Sequence, residues 1–104
     1  MNIDRDDLIW LAGWLEGEGW FGWHYSPRLG AACSDYDVIA RFGRFVGKAP
    51  RPYSSKRKGK QMWFVNVGSD QAIELMRLLL PLMGKRRQQK IAEVLARDAA
   101  RPRL

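Results

Sequence analysis

One glutamate lies in a setting that could hold a metal ion. Glu18 stands between Gly17 and Gly19 at the end of a predicted helix. A carboxylate and the free carbonyls at a helix C-terminus are hard oxygen ligands, the type that Mg²⁺ binds. The flanking glycines leave room for a phosphate to approach. We therefore predict that the Glu18 carboxylate binds Mg²⁺ or another divalent cation, with free carbonyls of the helix end as further oxygen ligands.

A stripe of small residues precedes Glu18 on the same helix. Gly13 and Gly17 are four residues apart and Ala12 adjoins them, so two helix backbones could approach closely along this stripe. Glycine within a helix costs about 1 kcal/mol relative to alanine, which favours a packing role. A symmetric dimer would bring two copies of the stripe together. The predicted interface comprises Leu11, Ala12, Gly13, Leu15 and Glu16.

That dimer would also bring two Glu18 carboxylates near one another, and their repulsion would require cations between them. The alternative is that Gly17 and Gly19 only end the helix and that Gly13 has no packing role.

The charge of the chain is unevenly distributed. The net charge of the 104 residues is +7. Eight basic residues and no acid lie between Arg41 and Lys60, whereas the first eighteen residues hold five acids and one arginine. This asymmetry predicts a basic surface for a polyanion, set apart from an acidic site. A basic surface that only keeps the protein soluble is the alternative.

Hydrophobic periodicity and turn residues predict an α+β fold in a single domain, 1–104. The predicted order is a helix over 4–19 capped by Asp4, strands over 20–28 and about 29–33, a helix ending at Gly47, a hairpin of 51–55 and 61–68, and helices over 70–80 and about 85–99. Such an order places the helices on one face of an antiparallel sheet.

The other face of that sheet is predicted to carry hydrogen-bonding and cationic side chains, the types that contact base edges and phosphates. These are His24, Ser26, Arg28, Arg51, Tyr53 and Asn66, with Lys56, Arg57, Lys58 and Lys60 in the basic hairpin turn. Duplex DNA is the predicted partner. The polar outer face of an ordinary α+β domain is the alternative.

The segment LAGWLEGEGWF, residues 11–21, resembles the LAGLIDADG signature of homing endonucleases, with glutamate as the second acid. Residues 26–30, residues 56–60 before Trp63, and residues 78–88 are similar to the later strands and C-terminal helix of that family. The predicted element order is also that of the family's αββαββα core. The resemblance therefore covers nearly the whole chain.

This resemblance implies a site-specific endonuclease that acts as a homodimer on a pseudo-palindromic DNA duplex, with divalent metal ions. Glu18 would be the catalytic, metal-binding acid, with the Gly17 carbonyl beside it as a metal ligand, and the sheet would form a saddle in the major groove. A basic residue at the start of the C-terminal helix would support catalysis. Lys85 is the predicted residue, with Arg86 and Arg87 as alternatives.

One departure from the family pattern lies near the end of the second strand, where Cys33 stands at the usual position of Gln or Asn. It leaves open a catalytically weak or inactive DNA-binding protein or an intron-splicing cofactor. An RNA-binding protein ranks last, because the deep, narrow major groove of RNA does not admit a sheet. A single cysteine and no apolar stretch of membrane-spanning length lead us to expect a soluble, intracellular protein without a membrane partner.

Overall fold

Helices cover one face of a four-stranded antiparallel sheet in the computed structural model, which describes residues 2–55 and 59–102. The elements are α1 (Arg5–Glu18), β1 (Gly19–His24), β2 (Ser26–Cys33), α2 (Tyr36–Val46), β3 (Arg51–Ser55), β4 (Lys60–Gly68), α3 (Ser69–Leu79), a 3₁₀ turn (Leu80–Leu82) and α4 (Lys85–Ala100). The strand order is β1-β2-β4-β3. The predicted α+β fold is confirmed.

The ends of α1 and α2 follow the local signals in the sequence. The Asp4 side chain accepts a hydrogen bond of 2.9 Å from the Asp7 amide, as a helix cap does. α2 ends at Gly47, whose φ of 70° is the left-handed conformation that glycine adopts most readily. Both predicted ends are confirmed.

The predicted boundary between the first two strands is wrong. Residues 26–28 belong to β2 because Tyr25, with a φ of 63°, makes the turn between His24 and Ser26. Pro27 pairs with Trp23 of β1 and comes before Arg28, the first β2 residue that pairs with β4. Proline has no backbone N–H, but Pro27 lies outside the β2–β4 ladder, so no hydrogen bond of that ladder is lost.

α1 buries one face in the core of its own chain. Leu11 and Leu15 are fully buried and Ala12 is 3% exposed, all within the cluster that packs on the sheet. Their 3–4 spacing directs them towards the sheet of the same chain, and their contact with a second copy stays a prediction. Within the described residues, no helix has the length and apolar character needed to cross a membrane.

The strand register places the predicted DNA-facing residues together on the face opposite the helices. Paired residues share a face and side chains alternate along each strand. The pairs on this outer face include His24 with Ser26, Arg28 with Gly68, Gly30 with Asn66, Ala32 with Phe64, Arg51 with Phe64, and Tyr53 with Met62. Lys60 lies on it too, two residues before Met62. Lys56, Arg57 and Lys58 lie outside the described residues.

Candidate functional site

Glu18 is the last residue of α1 and its side chain is exposed. It makes no hydrogen bond or ion pair with another described residue. β1 begins at the next residue, so the carboxylate projects from the junction between helix and sheet. The negative charge of Glu18 acts on the thiol of Cys33, which places the carboxylate near the end of β2. The position is open to solvent and to a ligand.

A second carboxylate, that of Asp35, also acts on the Cys33 thiol. Burial raises the pKa of the Cys33 thiol most, and the charges of Asp35 and Glu18 raise it further. Asp35 precedes the first residue of α2, and its side chain makes no capping hydrogen bond. The sequence analysis did not identify Asp35; an acid just after a strand was the available signal.

Cys33 itself is a packing group. It is partly buried and donates a hydrogen bond of 3.3 Å from its thiol to the Asp35 carbonyl. With a raised pKa the thiol stays protonated at neutral pH, so it is a weak nucleophile and a weak hydrogen-bonding group.

The oxygen donors at this junction suit Mg²⁺, which keeps several waters and uses one or two carboxylates together with substrate phosphates. Glu18, Asp35 and the Gly17 carbonyl are such donors. Within residues 2–55 and 59–102, no group of three or more His, Cys, Asp or Glu side chains could hold a metal ion. The remaining ligands would have to come from water, a phosphate or a second copy of the chain.

Glu16 binds the start of α4. Its carboxylate accepts a hydrogen bond from the Gly84 amide, and the Arg87 Nε lies 3.8 Å from its Oε2. Arg87 also donates from Nη2 to the Glu16 carbonyl, at 3.2 Å. Within one chain the side chain therefore joins α1 to α4; its place in a dimer interface stays a prediction. We call these contacts the Glu16 clamp.

Of the three candidate catalytic cations at the start of α4, the Glu16 clamp binds Arg87 and leaves Lys85 and Arg86 unbound. Arg87 is held by Glu16 and lies over the Phe21 ring, 5.8 Å from its centroid. Lys85 and Arg86 are exposed and make no hydrogen bond or ion pair with another described residue. Lys85 directly follows Gly84, which Glu16 binds, so the clamp fixes its backbone beside the end of α1. Lys85 and Arg86 remain free to meet an anion.

Replacing Glu16 with alanine is expected to lower the free energy of unfolding by about 1 kcal/mol, because the first turn of α4 loses an acceptor. The Glu16 side chain is 41% exposed, so the ion pair with Arg87 adds little. Urea denaturation of the free protein measures the change. Glu16→Gln keeps an oxygen for Gly84 and should lose less than half as much; equal losses in both variants would contradict the clamp.

A basic cleft of about 510 Å³ opens on the outer face of the sheet. Its lining residues are Arg28, Gly47, Lys48, Ala49, Arg51, Phe64, Val65 and Asn66. Three of these residues, Arg28, Lys48 and Arg51, are cations, and none of the lining residues is an acid. The Arg28 Nε is buried and has no hydrogen-bond partner, so this cation has unused donor capacity. Sequence reasoning identified Arg28, Arg51 and Asn66 but missed Lys48, which the chain brings to the cleft from the end of α2.

The other predicted contact residues lie towards the two ends of the sheet. His24 is exposed at the β1–β2 turn, against the Tyr25 ring at 4.5 Å, and Ser26 is half-buried beside it. Tyr53 and Lys60 are exposed on the β3–β4 side. The structure thus brings Arg28, Arg51 and Asn66 together but separates His24 and Ser26 from Tyr53 and Lys60.

The middle of the outer face is aromatic, which sequence reasoning did not predict. Trp20, Ala32, Tyr53 and Phe64 line a shallow cleft of about 360 Å³ together with Ala31 and Asn66. We call Trp20, Ala32, Tyr53 and Phe64 the aromatic patch. The feature of the sequence that could have predicted it is Trp20, an aromatic residue at an outward-facing position of β1.

A free face remains on α1. Ile9 is 48% exposed, and Gly13 and Gly17 are exposed at four-residue spacing. A Cβ atom built on Gly13 or Gly17 would meet nothing within 4 Å. Of the predicted interface residues, Gly13 alone therefore faces away from the rest of its own chain.

Comparison with known proteins identifies this fold. The chain matches the homing endonuclease I-CvuI bound to the I-CreI target C1221 with 2 mM Mg, in which the DNA is not cleaved (18% identity, TM-score 0.64, 89% of this chain and 68% of that one). It matches I-CvuI bound to its own target Sro1.3 with 2 mM Ca (17%, TM-score 0.63, 89% and 68%). It also matches the homing endonuclease I-TnaI (15%, TM-score 0.60, 95% and 76%).

At these identities the likeness establishes the fold, which this chain shares with homing endonucleases. No protein-family model and no curated protein matches the sequence.

Proposed function

We propose that two copies of this chain bind duplex DNA and hydrolyse one phosphodiester bond in each strand. The observation that carries the proposal is the free, exposed Glu18 carboxylate, at the edge of a basic sheet in a fold shared with homing endonucleases. The structures of I-CvuI that this chain resembles hold DNA and were obtained with Mg or Ca.

The outer face supports the DNA-binding part of the proposal. Arg28, Lys48 and Arg51 surround the basic cleft, and each can neutralise a phosphate and release condensed counterions. The Arg28 guanidinium lines this cleft and offers charge-assisted donors to a phosphate oxygen. A twisted sheet of this kind can enter the major groove, where base edges are readable.

The junction between α1 and β1 supports the catalytic part. Glu18, with Asp35 nearby, would hold a divalent cation, which when bound supplies Lewis-acid stabilisation of the phosphate and lowers the pKa of water. Lys85 would neutralise the charge that develops on the phosphate during attack. The Glu16 clamp keeps Lys85 and Glu18 at one junction, since it joins the end of α1 to the start of α4.

The free face of α1 supports the dimer. One chain provides one Glu18, whereas cutting both strands needs two sites. The stripe of Ile9, Gly13 and Gly17 has no partner among the described residues and would admit a symmetry-related copy at short distance. The two carboxylates would then lie on either side of the twofold axis.

A DNA-binding protein that does not cut, or an intron-splicing cofactor, is the second candidate. It is favoured by the protonated Cys33 thiol at the end of β2, a weak group for ordering water beside a metal. Incubating the purified protein with a randomised duplex pool and Mg²⁺, with EDTA as the control, separates the two. Sequenced ends that appear only with Mg²⁺ support the endonuclease; retained duplexes without new ends support the second candidate.

Lys48→Ala is expected to weaken binding to every duplex and to reduce the slope of log K against log salt by about 1, because one phosphate contact is lost. Titrations over a range of salt concentrations measure the slope. Lys90→Ala is the matched control, since Lys90 is an exposed lysine on α4. An unchanged slope for Lys48→Ala would exclude a phosphate from that side of the cleft.

A further inference from the structure

The middle of the outer sheet face combines an apolar surface with one free amide. Trp20 lies opposite Gly30, and Gly30 lies opposite Asn66, in one row across three strands. In the next row Ala32 pairs with Phe64, and the Phe64 ring meets the Tyr53 ring at 5.7 Å. Trp20 and Tyr53 are 43% and 39% exposed. Asn66 is exposed and its amide makes no hydrogen bond with another described residue.

The absence of a side chain at Gly30 lets the Trp20 ring and the Asn66 amide approach its backbone. A Cβ atom on Gly30 would lie 2.9 Å from the Trp20 ring and 2.8 Å from the Val65 carbonyl, and would collide with the Asn66 Oδ1. The indole and the amide therefore both rest on the bare backbone of Gly30, side by side. As a result, the apolar Trp20 ring and the hydrogen-bonding Asn66 amide lie next to each other on the sheet.

The charges around the aromatic patch indicate a polyanion as its partner. Arg28, Arg51 and Lys60 lie on the same face. None of the outward-facing residues that the structure describes on β1 to β4 is an acid. A protein partner with an apolar surface would not account for these three cations on one face, whereas the phosphates of a duplex would.

Within the major groove of DNA, the apolar feature is the C5 methyl group of thymine. Asparagine is the side chain that pairs with the N6 and N7 edge of adenine. An apolar surface beside an asparagine therefore matches the two halves of one A·T pair. Trp20 is two residues after Glu18, so the pair read there would lie close to the scissile phosphates.

We propose that Asn66 and the aromatic patch read an A·T base pair near the cleavage position, with Asn66 on adenine and Trp20 and Phe64 on the thymine methyl. This inference rests on the proposed DNA binding and adds to it the base pair that is recognised. Contact with a methyl group does not depend on charge, so this discrimination should persist as salt weakens overall binding.

The test uses duplexes selected by the protein from a randomised pool with Ca²⁺ in place of Mg²⁺. The selected duplexes should share an A·T pair close to the centre. Replacing that thymine with uracil removes only the methyl group and should weaken binding by about fourfold, which corresponds to the ~0.8 kcal/mol for burying one methylene-sized group. Replacing a thymine with uracil outside the selected A·T pairs is the control and should leave the affinity for the duplex unchanged. The uracil is placed in the DNA, so this arm does not depend on the folding of a variant.

Trp20→Ser should reduce the difference between thymine and uracil, whereas Lys90→Ala, at an exposed position on α4, should keep it. Duplex binding with equal affinity for thymine and uracil at every position would overturn the inference and leave DNA binding intact. Failure to bind any duplex would overturn both. A change of oligomeric state in Trp20→Ser, with the thymine preference kept, would assign the aromatic patch to a protein contact and also overturn it.

Discussion

Glu18→Gln is expected to lower the rate of duplex cleavage by at least about 10³-fold, because a cation held by this carboxylate is worth several kcal/mol in the transition state. The amide keeps the size of the side chain but removes the negative charge that a divalent cation requires. Affinity for the duplex should stay the same or rise, since one negative charge beside a phosphate is removed. Single-turnover cleavage and equilibrium binding in Ca²⁺ measure the two quantities separately.

The variant should fold like the original protein. Glu18 is exposed and makes no hydrogen bond or ion pair with another described residue, so no native contact is lost. Glu93→Gln on α4 makes the same chemical change at an exposed position and should cleave normally. Cleavage by Glu18→Gln within about tenfold of the original rate would leave less than ~1.4 kcal/mol for the carboxylate and refute its catalytic role.

Gly13→Gln is expected to abolish the proposed dimer while making the single chain more stable. A glutamine side chain on the free face of α1 would separate two helices that, in the proposed dimer, approach at their backbones. Within one chain the same change should raise the free energy of unfolding by about 0.5–1 kcal/mol, because glycine is a poor helix former. Loss of the dimer together with a higher free energy of unfolding would indicate an interface, whereas loss of the dimer together with a lower free energy of unfolding would indicate a folding defect.

Sedimentation with and without a target duplex measures the first effect, and thermal denaturation of dilute protein measures the second. Double-strand cleavage should fall with the dimer, because one chain carries one Glu18. The structure predicts no clash within the chain, since a Cβ on Gly13 has nothing within 4 Å.

Leu11→Gln is the contrasting variant: Leu11 is fully buried, so that change should destabilise the fold itself. A dimeric Gly13→Gln that still cuts both strands would rule out this interface.

Much of the fold follows from short stretches of sequence. Asp4 and Gly47 mark helix ends because a cap depends on groups within one turn of the chain. The strand 51–55 and the end of β4 at Gly68 follow from side-chain alternation and turn residues. The boundary at Tyr25 was missed because a single non-glycine residue with positive φ has no strong local signal.

The amino-acid sequence by itself determined the element types, the place of Glu18 at the end of a helix, and the basic character of the sheet face. Those features depend on residues close together in the chain. Only the tertiary structure decided which side of α1 is free, because burial of Leu11 and Leu15 depends on strands that lie later in the sequence. It likewise decided that Glu16 holds Arg87, 71 positions away, and that Trp20 and Asn66 both lie against Gly30. Contacts between distant residues arise from packing in three dimensions, which no local pattern encodes.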